Sequence, residues 1–332
     1  MRWLTAPISW AFAAISFIRW KLYRWGIFLH SKSAPAPVIS VGNIALGGTG
    51  KTPCVIWLAR ELKSRGFDPI ILTRGYKRSV KDRLFILGDI PEARLAGDEP
   101  AVMSAHLIDI PIVVHQDRLG SAKEIGTGKK RIFILDDGFQ HLKMHRNADI
   151  VLFPADNPLS DGHLFPLGKL RDGKWRIEEA DIIILVGEGK EIPIEFNHLK
   201  DRVFRAEKIP AGLFTLDGVK IPWKAIENEK VVAFSAIGAP ESFVATLNCL
   251  GAEVAANKNF RDHHQFKIGD IHAIESLAEA NRADILITTE KDAVRLAGIK
   301  PRLTTYYIRI ELQPEKPDEI LHRLMKLLQK ES

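Results

Sequence analysis

Short apolar runs alternate with longer periodic stretches along most of this chain. Val38–Val41, Ile70–Leu72, Ile112–Val114, Ile132–Leu135, Ile150–Phe153 and Ile182–Val186 read as buried strands. Between them, Pro53–Arg65 (stopped by Gly66), Glu99–Leu107 and Arg118–Ile125 carry helical patterns. Strands alternating with helices predict an α/β fold, a mostly parallel sheet flanked by helices. After Gly187 the texture turns to Gly, Pro and charge. A second alternation then runs through Val231–Phe234, a helix near Glu241–Leu250, Ile285–Thr288 and Tyr306–Ile310. The expected organisation is an N-terminal helix over 1–30, a first α/β domain over 31–190 and a smaller second α/β domain over 191–332. The last helix, Pro317–Lys330, has the reach to pack on either lobe.

The first thirty residues differ from the rest. Trp3 to Ile18 is uncharged, flanked by Arg2 and Arg19 and loaded with Trp, Tyr and Phe. It is shorter than the ~20 apolar residues of a spanning helix. Thr5, Ser9, Ser16 and Arg19 fall near one helical stripe, so the segment reads as a weakly amphipathic helix lying at a membrane interface. A signal peptide and a helix packed on its own domain are the competing readings.

Composition sharpens this picture. The chain has 332 residues and a net charge of +6, yet no Asp or Glu precedes Glu61. A basic, aromatic amino terminus suits anionic lipid; a dispersed basic face, the signature of nucleic-acid binding, is not what the charge shows. Two distant cysteines, Cys54 and Cys249, give no disulfide framework or metal site and suit a reducing compartment.

The chemistry begins at Gly47-Gly48-Thr49-Gly50-Lys51-Thr52, between a predicted strand and a predicted helix. Glycines there let backbone amides face phosphate oxygens, Lys51 reaches the β and γ phosphates, and the Thr52 hydroxyl suits Mg²⁺. Ala45 stands where the usual pattern has Gly, so the loop is a variant. The acid pair Asp136-Asp137 closes the strand Ile132–Leu135; Asp137 or its neighbour is the expected second metal ligand. Asp98, before Glu99-Pro100, suits a helix N-cap as well as chemistry. Asp262-His263-His264 lacks further Cys or His for zinc.

Gly42-Asn-Ile-Ala-Leu-Gly-Gly-Thr-Gly-Lys-Thr-Pro53, Thr73-Arg-Gly-Tyr76, Gly97-Asp-Glu-Pro100 and Asp136-Asp-Gly-Phe-Gln-His141 resemble the tetraacyldisaccharide 4'-kinase family of the lipid A pathway. So do Leu164-Phe-Pro-Leu-Gly-Lys-Leu-Arg171, Phe260-Arg-Asp-His-His264 and Thr289-Glu-Lys-Asp292, in family order over nearly the whole chain. Lys169 and Asp172 depart from the pattern, where Pro and Glu are expected. The resemblance implies phosphorylation, by ATP with Mg²⁺, of the 4' hydroxyl of a tetraacylated glucosamine disaccharide 1-phosphate. It further implies work at the cytoplasmic face of the inner membrane, without an obligate protein partner. It casts Asp98 as the base and His263 as its partner, with Lys51 catalytic. Glu99, Arg118, Gln140, His141 and Arg171 are substrate-binding candidates, the arginines because guanidinium grips phosphate bidentately.

Two other classes compete. A membrane-docked regulatory P-loop ATPase or GTPase would need no lipid acceptor, but Lys291 and Asp292 are adjacent, not in the Lys-x-Asp spacing that reads guanine. A small-molecule phosphate-loop synthetase would leave the aromatic amino terminus idle.

Overall fold

The computed structural model describes residues 2–26, 28–189, 191–296 and 298–330. Lys190, where the domain boundary was expected, lies outside the described residues, as do Met1, Glu331 and Ser332 at the limits of the outer domains.

Helix α1 (Arg2–Trp25) leads into β1 (Val38–Gly42), α2 (Lys51–Ser64), β2 (Asp68–Thr73), β3 (Leu84–Ile86), α3 (Ala93–Ala96) and α4 (Asp98–His106). Then come β4 (Ile112–Val114), α5 (Arg118–Ile125), β5 (Arg131–Asp136), β6 (Ala148–Pro154), β7 (Ile182–Val186) and β8 (Val203–Thr215). The second lobe adds β9 (Lys220–Ile221), β10 (Lys230–Ser235), α6 (Pro240–Cys249), β11 (Glu253–Asn259), α7 (Ile268–Ala280), β12 (Ile285–Thr289) and α8 (Glu290–Leu296). Finally β13 (Thr304–Pro314) and α9 (Pro317–Lys330) return to the first lobe.

The two lobes share one sheet, in the order β11-β10-β12-β13-β8-β7-β6-β1-β5-β2-β4-β3. Strand β8 joins them: its first residues pair in parallel with β7 and its length pairs antiparallel with β13. The patterning does not predict β8, because Pro210 and Gly212 interrupt it. In the structure Gly212 faces Arg309 and Pro210 faces Ile310, so Ala211 bulges out of the ladder and the strand continues past the proline.

The central strands are buried on both faces, which is why they read as continuous apolar runs. On one face α2, α4 and α9 share a core: Leu58 and Leu62 pack with Ile182, Ile184, Ile320, Leu321 and Leu324. The last helix therefore closes the first lobe. Helix α2 starts at Lys51, two residues before the patterning indicates, because the lysine itself opens the helix at the phosphate loop.

Helix α1 is turned opposite to a helix that merely covers a core. Its polar stripe faces the protein: Ser9 donates to the Leu164 carbonyl at 2.7 Å, Ser16 to Asp172 at 3.0 Å and Arg19 to the Gln140 carbonyl at 3.1 Å. Trp20 donates from its indole to Glu179, and Phe17 meets Trp175 edge-on at 5.2 Å. Ser9 is 3% exposed while the next residue, Trp10, is 70% exposed, and Ile8, Ile15, Ile18 and Trp25 also point outward. So the helix does pack on its own domain, and through its polar side. Asp172, one of the two departures from the family pattern, is buried where it anchors Ser16 and Arg176. No described helix is long and apolar enough to cross a membrane.

Candidate active site

The sheet register builds the first half of the site. Val41 pairs with Asp136, so the end of β1 that feeds the phosphate loop lies beside the acids that end β5. Gly47 (φ 119°) and Gly50 (φ 89°) take left-handed conformations that a side chain would strain. A Cβ added at Gly47 or Gly48 would meet no atom within 4 Å, so these backbone atoms front open space. Buried Asn43 braces the loop: its Nδ2 donates to the Ala45 carbonyl at 2.7 Å and to Thr49 Oγ1 at 2.9 Å. Its Oδ1 accepts from Lys51 Nζ at 3.2 Å and from Arg171. From β8, Lys208 Nζ donates to the Gly48 carbonyl at 2.7 Å.

The two acids differ in state. Burial pushes Asp136 up to about 6, the neighbouring Asp137 charge adds to this, and a 2.7 Å hydrogen bond from Thr73 opposes it. Burial acts on Asp137 in the same direction. Arg171, donating from both Nη atoms at 3.1 and 2.8 Å, and Lys51 at 3.6 Å overcome it and hold Asp137 at about 2. Burial lowers Lys51, and the Asp137 charge works against that. Such a set of oxygen donors (Thr52 in the first turn of α2, Asp137, Asp136) suits a hard divalent cation shared with phosphate oxygens. No cluster of three or more acid, His or Cys ligands exists among the described residues to hold a metal alone.

The other sequence candidates divide into two groups. Gln140 donates to the Asn43 carbonyl at 2.8 Å, and Glu99 acts by its charge on Lys51 and Asp136, so both line this cleft. Arg118, expected to grip substrate phosphate, is buried. It donates to the Asp136 carbonyl at 3.0 Å, with its Nε unpartnered. It braces the acid-bearing backbone from below. His141 is pushed down to about 3 by burial and then by Arg118, Arg146, Lys143 and Arg19, so it stays neutral, with a buried, unpartnered Nε2.

The second half is assembled from distant segments. Asp98 opens α4, but Gly97 holds the cap position and the Asp98 side chain makes no cap, which removes the N-cap reading. Its Oδ2 instead accepts from His263 Nδ1 at 2.9 Å and from Arg295 Nε and Nη2 at 2.9 and 2.7 Å. Burial raises this carboxyl, but those hydrogen bonds and the Arg295 and Lys291 charges win and hold it at about 2. A carboxylate in that state only accepts, so His263 Nδ1 carries the shared proton. His263 sits at φ 63° with Tyr76 edge-on at 5.5 Å.

Asn43, Lys208 and Arg295 were not singled out from the sequence. Asn43 carries a signal, a polar residue directly after a buried strand. Lys208 and Arg295 carry none, since nothing local distinguishes either from the other basic residues.

A strand, a glycine-rich loop and a helix-opening lysine beside paired acids, with a carboxylate–imidazole pair brought in across the lobes, define a phosphate-loop phosphotransferase. The chain belongs to the LpxK family, tetraacyldisaccharide-1-P 4'-kinase, whose family model matches residues 1–329, and it is therefore a kinase. It is 34% identical over 338 residues to the tetraacyldisaccharide 4'-kinase of Syntrophus aciditrophicus, covering 92% of this chain and 90% of that one. It is likewise 34% identical to the enzyme of the same name from Geobacter metallireducens, over 95% of this chain and 96% of the other. A crystal structure of LpxK from Aquifex aeolicus in complex with ATP superposes with a TM-score of 0.77 at 29% identity, covering 97% and 98% of the two chains. The α/β fold read from the patterning is the fold of that kinase.

Proposed function

We propose that the protein transfers the γ-phosphoryl group of ATP to the 4' hydroxyl of a tetraacylated glucosamine disaccharide 1-phosphate, giving the 1,4'-bisphosphate of the lipid A pathway. One observation carries the lipid acceptor. The outward apolar face of α1 is tied to the phosphate loop by Arg19 on the Gln140 carbonyl and Gln140 on the Asn43 carbonyl. An apolar, aromatic surface and a nucleotide site are thus two hydrogen bonds apart. We assign α1 to the cytoplasmic face of the inner membrane, lying in the interface with its apolar side in lipid. We also assign 31–190 and 191–332 as two working units joined through β8 and β13, with the last helix, α9, packed back on the first.

In this reading the amides of Gly47–Thr52 and Lys51 hold the donor phosphates, and Lys208 exchanges the Gly48 carbonyl for a phosphate oxygen. Thr52 and Asp137, with Asp136 behind, would hold Mg²⁺, which when bound neutralises charge on the β and γ phosphates. For Asp137 to turn to the cation, Arg171 must release it, and a freed Arg171 is available to phosphate.

At the acceptor side, every hydrogen bond described for Asp98 falls on Oδ2, which leaves Oδ1 for the sugar hydroxyl. A carboxylate near 2 is a weak base. That suffices, because in a loose phosphoryl transfer the hydroxyl becomes strongly acidic only late, once its oxygen is bonding to phosphorus. Oδ1 orients the hydroxyl early and takes the proton late, and His263 fixes Oδ2 throughout.

The test is product analysis by mass spectrometry. Purified protein, ATP, Mg²⁺ and the disaccharide lipid in detergent are expected to yield the bisphosphate, and Lys51→Ala is expected not to. ATP hydrolysis with unchanged lipid would overturn the assignment.

A further inference from the structure

The Thr289-Glu-Lys-Asp292 motif and the helix it opens have no part in the reaction as described so far, yet they face α4 along its length. Glu290 pairs with His106 at 2.9 Å, Lys291 with Glu99 at 3.0 Å, and Arg295 reaches Asp98. Arg295 is fully buried, and each arm of its guanidinium is used. Nε and Nη2 both donate to Asp98 Oδ2, while Nη1 donates to Asp292 Oδ1 at 2.8 Å and to the Ala236 carbonyl at 3.1 Å. Asp292 is itself immobilised: its Oδ2 accepts from Thr289 Oγ1 at 2.7 Å and from the Ala236 amide at 3.0 Å.

We infer that Arg295, anchored by Asp292 and Thr289, is a positioning residue for phosphoryl transfer: the second lobe uses it to pin Asp98 by Oδ2 so that Oδ1 faces the acceptor hydroxyl. A bond from His263 alone leaves the carboxylate free to turn about that single contact. Two further donors from a rigid fork fix the position of Oδ2, and with Oδ2 and the helix-held Cβ both fixed, the side-chain torsions, and so the direction of Oδ1, are set. Because Arg295 and His263 both belong to the second lobe, separating the lobes frees Asp98 of both partners at once, and the carboxylate is aligned only while the lobes are docked. The inference rests on the role given above to Asp98. The charged groups around that carboxylate are His263 with Asp262 beyond it, Lys291 paired to Glu99, and Arg295 backed by Asp292. Of these, the His263 hydrogen bond opposes protonation first, and Arg295 adds to it both through its hydrogen bonds and through its charge.

The experiment is the pH dependence of kcat and of KM for ATP in wild type, Arg295→Lys, Arg295→Gln and Thr289→Val, with Arg302→Gln as control. Arg302 pairs with Glu275 in the same lobe, away from this site, so its loss removes a second-lobe ion pair without touching Asp98. Arg295→Lys is expected to lower kcat about a hundredfold with little change in KM for ATP, as a misaimed acceptor group should. The acid limb of its kcat profile is expected to rise by about one to two pH units, because a carboxylate that loses its guanidinium protonates more easily. Thr289→Val, which loosens Asp292 while leaving Arg295 in place, should show the same signature reduced to a few-fold, and keeps the test open if Arg295→Gln does not fold. Arg302→Gln should melt earlier with an unchanged profile. If Arg295→Lys and Thr289→Val keep the wild-type kcat and acid limb, the inference is wrong. Asp98→Asn in the same assay separates the two layers: an active Asp98→Asn overturns the role of Asp98 itself, whereas an inactive one beside a normal Arg295→Lys overturns this inference alone.

Discussion

The two halves of the site solve opposite problems. Around the phosphate loop, Lys51 and Arg171 both pair with Asp137 in a partly exposed cluster and both also donate to the buried Asn43 behind it. Around Asp98 the carboxylate is itself buried, and its partners, half-buried His263 and fully enclosed Arg295, come from segments more than a hundred and sixty residues away. On the proposed reading, the donor side is thus built to rearrange when a highly charged nucleotide arrives, and the acceptor side to hold one carboxylate in one orientation. Charge compensation keeps the first soluble and ready, and burial with hydrogen bonding makes the second precise.

The sharpest way to break this contrast is to disable each half separately. Asp98→Asn keeps the shape but removes the accepting charge; kcat is expected to fall by roughly 10²–10⁴ while ATP binding, followed by fluorescence of a nucleotide analogue, stays near normal. Lys51→Ala should instead weaken nucleotide binding together with rate. Equal losses of nucleotide affinity in both variants would erase the distinction.

The next effect in size concerns the membrane face. Replacing Trp10, Ile15 and Ile18 together by Ser removes outward side chains that make no core. At about 1 kcal/mol for each side chain that leaves lipid, partitioning to anionic vesicles should drop on the order of a hundredfold. Folding and ATP binding should be unaffected. Unchanged sedimentation with vesicles would return α1 to a purely structural role.

A smaller effect separates the buried carboxylate from the exposed ones by pH. Asp98 lies at about 2 in the fold, against ~3.9 in an unfolded chain. Its contribution is therefore present above about pH 4 and is lost as pH falls through about 2, an amount of about 2 kcal/mol. Urea midpoints between pH 5 and pH 2.5 should fall more steeply for wild type than for Asp98→Asn. The smallest effect is at Lys316, paired with Glu319 where both side chains are mostly exposed; Lys316→Ala should change stability by less than about 1 kcal/mol.

The same contrast explains what could be read from the sequence. The first-lobe strands and the phosphate loop are local: a buried parallel strand is a continuous apolar run, and the loop is six consecutive residues. Strand β8 escaped because a proline and a glycine sit inside it and its pairing partner, β13, lies about a hundred residues on. Asp98 and His263 were found through short motifs, but their contact depends on how two lobes dock. Arg295 left no trace, because its significance lies wholly in what folding places opposite it. The polar stripe of α1 was legible, though not its direction: periodicity shows that a helix has two faces, and only the neighbouring surface (Leu164, Asp172, Gln140) decides which one turns inward.

The most direct test of the account is a rapid-quench single turnover with labelled ATP and the tetraacyl disaccharide 1-phosphate, comparing wild type with Asp98→Asn at saturating concentrations of both substrates. Label is expected to pass from ATP to the 4' position of the lipid in wild type, and to remain on bound, intact ATP in the variant. Label released as inorganic phosphate in wild type, or lipid labelled at the wild-type rate by Asp98→Asn, would contradict it.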